Sequence, residues 1–280
     1  LRLLVSSKPS TGNIKDGGLE DTPQLFWISQ NHGLLVLFSS STLILITLNL
    51  ILILIILCEK ELHKPVYIFL AHLLLMDIGS CTTILPRLMY SISGNIMITK
   101  HACFVQVFFV SFTATMQSYI LSMMAIDRYL AVCHPLRYNV LLTNSRAHKA
   151  ILLTVCWSSL AYATINSLYG IANTSLTTVT LIAIVIVTYT PILYECLHSG
   201  PSSKGSMKAL HTCVTHFLVL SLFLFSIVFV LISMRMSTTN YFPWFLEHVS
   251  DSLFYLLQPL ANPIIYGVRT AEIRRGSDFG

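Results

Sequence analysis

Charge is scarce in this chain: Asp, Glu, Lys and Arg make up only 10% of its 280 residues, against 54% hydrophobic. A soluble domain carries about 25% charged residues. That shortage, with a mean hydropathy of +0.72, excludes a water-soluble globular fold and places the chain in a membrane. Catalytic signatures are missing as well. There is no HExxH, no GxSxG and no pair of acids inside an apolar run, so the chemistry of membrane enzymes has no residues to act through. His72, His211, His216 and His248 are scattered rather than clustered, which reads as packing and interfacial histidine and not as a metal site. No cofactor is expected. The seven cysteines are too few and too dispersed for a disulfide framework.

What is abundant is the long apolar run. A bilayer core of about 30 Å takes about 20 apolar residues per helix, and seven stretches of that kind follow one another. They cover about Leu34–Leu57, Val66–Tyr90, Ala102–Cys133, Ala147–Leu168, Thr177 onward, Met207–Met234 and Trp244–Val268. The expected fold is an all-α, seven-transmembrane helix bundle, with a tail over 1–33, the spans within 34–268 and a short tail over 269–280. The opening LRLLVSS is expected to be too short for a signal peptide. If Arg128 lies inside, eleven of the seventeen Lys and Arg residues lie inside with it. These are Lys60, Lys64, Arg128, Arg137, Arg146, Lys149, Lys204, Lys208, Arg269, Arg274 and Arg275. The bias sets the amino terminus outside, and it accounts for the net charge of +5 without a nucleic-acid partner.

Polar residues inside these runs are few and therefore informative. Asp77 is the only acid well inside a span, and an intramembrane carboxylate marks a functional site by default. Asn49, alone in the first span, reads as an interhelical hydrogen-bonding residue. Trp157 in the fourth span reads as packing. In the third span Ser111, Thr115, Ser118 and Ser122 recur at spacings of four, three and four, which makes one mildly polar face turned into the bundle. Asp127 and Arg128 close the same apolar run, where charges cost far less than the about 2.5 to 3.5 kcal/mol of a helix centre. In the seventh span Pro263 follows Asn262, freeing a carbonyl and allowing a kink.

The stretch ILSMMAIDRYLAVCHPLRY, residues 120–138, resembles the third helix and second inner loop of the olfactory receptors, a branch of the rhodopsin-like G-protein-coupled receptors. KPVYIFLAHLLLMD (64–77), Pro86 to Met89, KALHTCVTH (208–216) and PLANPIIY (259–266) match in the same order, so the resemblance covers roughly 34–275. It implies a multi-pass plasma-membrane receptor that binds a small odorant and activates a heterotrimeric G protein of the olfactory Gs type. Asp127, Arg128 and Tyr129 would form the coupling motif, with Asp127 holding Arg128 at rest. Tyr194 and Tyr266 would swing in on activation, and Asn262 and Pro263 would let the seventh helix change shape. Asn49, Asp77 and Asn262 would form a buried polar cluster, able to hold sodium in the family. The acid that relatives carry eleven residues before the arginine is here Gln117.

The implied ligand lining is Ser111, Thr115, Ser118, Ile227, Val228, Leu231, Ser252 and Tyr255, which suits small, mostly apolar, neutral molecules. The seventh span has no lysine for a retinal Schiff base, and the outer third span has no carboxylate for an amine. Cys103 stands where relatives bond a long second outer loop. With the fifth helix starting at Thr177, that loop shrinks to Tyr169–Leu176 and the partner is missing. Asn173-Thr174-Ser175 in it is a glycosylation sequon on the outer side. Two alternatives stand beside the receptor: a decaying, non-functional relative lacking the complete second outer loop, and a small-solute transporter. A transporter would need more buried charge than Asp77 and Asp251 supply.

Overall fold

A computed structural model describes residues 21–92, 99–163, 167–198, 204–237 and 256–267. They are helical almost throughout. The order is α1 (Asp21–Cys58), a 3-10 turn (Lys60–Leu62), α2 (Pro65–Ile92), α3 (Lys100–Cys133), α4 (Pro135–Leu141), α5 (Asn144–Ala163), α6 (Ser167–His198) and α7 (Lys204–Ser237). A further helix, α8, covers 256–267. The chain forms the seven-transmembrane bundle expected of it, with α1, α2, α3, α5, α6, α7 and α8 in the places of the seven runs and α4 lying in the second inner loop.

Helix is the only local solution for such sequences, since hydrocarbon offers no partner to a backbone N–H or C=O. Side-chain hydroxyls obey the same constraint by bonding back one turn: Thr47 to the Leu43 carbonyl at 2.7 Å, Thr188 to Ile184 at 2.7 Å and Ser221 to Phe217 at 2.8 Å. Breaks fall where the chain meets water. Thr99 Oγ1 accepts from the Ala102 amide at 3.3 Å and caps α3, while Pro135, lacking an N–H, cannot extend α3 and opens α4.

The centre of the bundle is α3. Its Met116, Ile120, Leu121 and Met124 pack with Phe69, Leu70, Leu73 and Leu74 of α2 and with Val219, Leu220 and Phe223 of α7, all buried. The outward faces are as apolar as the core, with Leu43, Leu153 and Val187 about two-thirds exposed, as a lipid-facing surface requires. Trp157 belongs to that surface, exposed on the outside of α5, and not to the packing expected of it.

Two boundaries differ from the sequence reading. Helix α1 begins at Asp21 rather than Leu34, so part of the expected outer tail is helical. Helix α6 begins at Ser167 rather than Thr177, which puts Tyr169–Leu176 into helix and leaves only 164–166 between α5 and α6. The polar Asn-Thr-Ser triplet suggests a loop, yet Gly170 is the lone breaker in the stretch. A helix also lets Thr177 Oγ1 donate to the Asn173 carbonyl at 2.7 Å.

Candidate functional site

At the inner mouth, α3 carries Asp127 fully buried beside Arg128, whose side chain is 15% exposed. Arg128 Nη2 lies 2.8 Å from Asp127 Oδ2, although that oxygen lacks an aligned hydrogen bond. Proximity thus makes a charge pair that geometry does not lock. The other carboxylate oxygen accepts from the Tyr138 hydroxyl at 2.7 Å. Burial first, and then the negative charge of Asp127, hold the Tyr138 phenol above its ordinary range, so it stays a donor.

Tyr138 can reach Asp127 because α4 is fixed at both ends. Pro135 starts it, and Arg146 closes it by donating from Nη1 to the Val140 and Leu141 carbonyls at 2.6 and 2.9 Å. Asn144 Nδ2 donates to the His63 carbonyl at 2.9 Å and ties this loop to the first inner turn. Tyr129 faces outward along the same edge, its hydroxyl 3.1 Å from His134 Nε2 with the two rings edge to face.

Across the bundle, the Tyr189 hydroxyl meets His216 Nδ1 at 2.7 Å. Both residues are buried, and the bond joins α6 to α7. Tyr194, the residue expected to act here, lies five positions further on and is 61% exposed. A helix turns 100° per residue, so five residues reverse the direction of the side chain; Tyr189 holds the inward position. Tyr189 shares the face of α6 that also buries Leu181, Thr188 and Ile192. Tyr266 is buried too, and its hydroxyl has no partner.

Half a membrane higher lies the polar cluster. Asp77 of α2 is wholly buried; Gln117 Nε2 donates to its Oδ1 at 2.8 Å and Asn262 Nδ2 to its Oδ2 at 2.7 Å. One carboxylate thus joins α2, α3 and α8. Asn49 bonds the same region by another route: its Nδ2 donates to the Pro259 carbonyl at 2.9 Å and to the Leu45 carbonyl at 2.8 Å. Pro259 is four residues before Pro263, which has no N–H to give it, so Asn49 takes up the carbonyl that proline frees. Gln258 Nε2 lies 3.4 Å from Asn262 Oδ1.

A cavity of about 10 Å³, lined by Ser80, Gln117, Gln258 and Pro259 among others, adjoins the cluster and has room for about one water. The sodium that the family resemblance implies does not fit these residues. A hard cation needs converging oxygens, and both Asp77 oxygens already face N–H donors.

The expected ligand lining is only partly assembled. Thr115, Ser118 and Ile227 are buried, with the Ser118 hydroxyl bonded back to the Ala114 carbonyl at 2.9 Å, and Ser111 is half-buried. Val228 is 43% exposed and turns away from the bundle. Leu231 sits on α7, while Ser252 and Tyr255 lie outside the described residues. A cavity of about 330 Å³ opens elsewhere, between α2 and α3, against Leu75, Met76, Gly79, Phe109, Phe112 and Thr113. Cys103 near the start of α3 is a half-buried free thiol. Asn173 lies within α6, not on the loop expected to expose it for glycosylation.

Comparison with known proteins bears on both ends of the chain. Residues 48–175 match the family profile described as 7 transmembrane receptor (rhodopsin family), and residues 153–277 match that of the olfactory receptor. The chain is similar to human Olfactory receptor 52N2, 32% identical over 254 residues and covering 78% of each protein. It is similar to human Olfactory receptor 52N1 at 31% identity, covering 92% of this chain and 88% of that one. A mouse relative, Olfactory receptor 5H19, is 31% identical over 87% of this chain and 89% of its own.

Proposed function

Because the chain belongs to the olfactory-receptor family of rhodopsin-like seven-transmembrane receptors, we propose that it is an odorant-type receptor. It binds a small, mostly apolar neutral ligand within the bundle and activates a heterotrimeric G protein of the Gs type from the plasma membrane. The observation that carries this reading is the inner mouth: Arg128 held against buried Asp127, with Tyr138 on the other oxygen. In this reading the pair acts as a switch, a charge pair at the inner end of a membrane helix that can be made and broken. It stays shut while α7 lies against α3 and opens when α7 moves, and ligand biases that equilibrium through its unequal affinity for the two states. Of the motif residues, Tyr189 replaces Tyr194 as the inward tyrosine of α6, and Tyr266 supplies the second.

The ligand class follows from desolvation. Ser111, Thr115 and Ser118 offer hydroxyls but no formal charge, and burying an unpaired charged group would cost several kcal/mol. An agonist screen read as cAMP in cells supplying the olfactory G protein tests this. Neutral alcohols, aldehydes, ketones or esters should dominate the hits; a screen led by amines or amino acids would overturn the pocket assignment.

The short α5–α6 connection favours a second reading, a receptor-like membrane protein that no longer retains ligand. Surface staining without any odorant response across such a screen would support it.

A further inference from the structure

We propose that Gln117 is a built-in substitute for a bound cation, so that the cluster around Asp77 holds one water and responds to no physiological sodium. Three observations converge. First, Gln117 Nε2 and Asn262 Nδ2 each donate to a different oxygen of Asp77, at 2.8 and 2.7 Å. Each N–H takes one lone-pair direction of its oxygen, so a cation approaching from that side meets a hydrogen. Second, the space left is about 10 Å³, about one water and too little for an ion with a hydration shell. Third, the orphan in that space is an acceptor: Gln258, 3% exposed, lines the cavity with an Oε1 that has no partner. A water supplies the donor that Gln258 lacks, whereas an ion would leave the N–H groups of Gln117 and Asn262 facing positive charge. The neighbouring hydroxyls have no hydrogen to spare for Gln258 Oε1: Ser80 Oγ donates to the Asp77 carbonyl at 2.9 Å, and Thr113 Oγ1 to the Phe109 carbonyl at 2.9 Å.

The consequence is a permanent bridge. A mobile ion couples α2, α3 and α8 only when it is bound; an amide couples them at every ionic composition. The resting bundle of this chain is therefore insensitive to swings in sodium.

The test is thermal unfolding of the detergent-purified protein, followed with a thiol-reactive dye, in sodium, potassium or N-methyl-D-glucamine chloride at equal ionic strength. The wild type should unfold within about 1 °C in all three; a midpoint that rises and saturates with sodium alone would overturn the proposal. Gln117→Glu replaces a donor by an acceptor and should acquire a sodium-specific rise of about 3 to 5 °C at saturating salt, whereas a flat response from this variant would also overturn it. If that variant does not fold, Gln117→Ala separates the cases. It should unfold several degrees below wild type, and an unchanged midpoint would show that the bridge carries nothing. The measurement uses neither odorant nor G protein, so its failure and that of the receptor reading are distinguishable.

Discussion

The inner and outer halves of this bundle spend their polar groups differently. On the inner side they reach from element to element: Tyr138 to Asp127, Asn144 to the His63 carbonyl, Tyr189 to His216. In the outer half of α3 and at the start of α6 they fold back on their own helices, as Thr113 does to Phe109 and Thr177 to Asn173. An interhelical bond must break for the helices to part, while a hydroxyl bonded to its own backbone leaves its helix free to slide. On the proposed receptor reading the inner end is the two-state device, and the outer end is the lining that meets the ligand.

The largest effect should come from the one inner residue that must leave its partner to act. Arg128→Ala is expected to abolish ligand-stimulated cAMP at unchanged surface expression, and a full response would show that the inner end is not the coupling end. Next comes the tie between α6 and α7. Tyr189→Phe removes one buried hydrogen bond, of net value about 0.5 to 1.5 kcal/mol, so agonist-free cAMP should rise about two- to tenfold. Tyr194→Phe, on the outer face, should leave it unchanged, and this pair of variants sharpens which tyrosine serves the switch. A smaller rise is expected of Tyr138→Phe, about two- to threefold, because Asp127 loses a donor but keeps Arg128. The smallest effect belongs to the outer end: Cys103→Ser should alter surface staining hardly at all. A native disulfide contributes typically about 2 to 4 kcal/mol, so a large loss on that substitution would reveal a bonded Cys103 and restore to the outer half a restraint this account denies it.

Much of this was legible in the sequence. Apolar runs separated by basic breaks placed the spans, because the bilayer allows a run of that length one conformation only. Asp77 announced itself by being charged where charge is expensive, and Asp127 and Arg128 by closing an apolar run. Pairings across helices were not legible. The Tyr189–His216 bond depends on the rotation of α6 about its axis, and an almost uniformly apolar helix leaves that rotation unmarked. Gln117 stood out only as a missing acid; that its amide bridges to Asp77 needed the separation of α2 and α3. Tyr169–Leu176 misled because Asn, Thr and Ser mark loops in water, whereas next to a membrane their side chains bond the helix itself. Val228 misled for the same rotational reason as Tyr194.

Whether Arg128 and the α6–α7 bond form one switch can be measured at the inner end alone, without any ligand. Basal guanine-nucleotide exchange on a Gs heterotrimer is measured in membranes holding wild type, Tyr189→Phe, and Tyr189→Phe combined with Arg128→Ala, at matched receptor density. Exchange should be low for wild type, rise about two- to tenfold on loss of the α6–α7 bond, as large as one hydrogen bond allows, and return to receptor-free background in the double variant. Exchange at background in all three, or a rise that survives the loss of Arg128, would contradict a single switch.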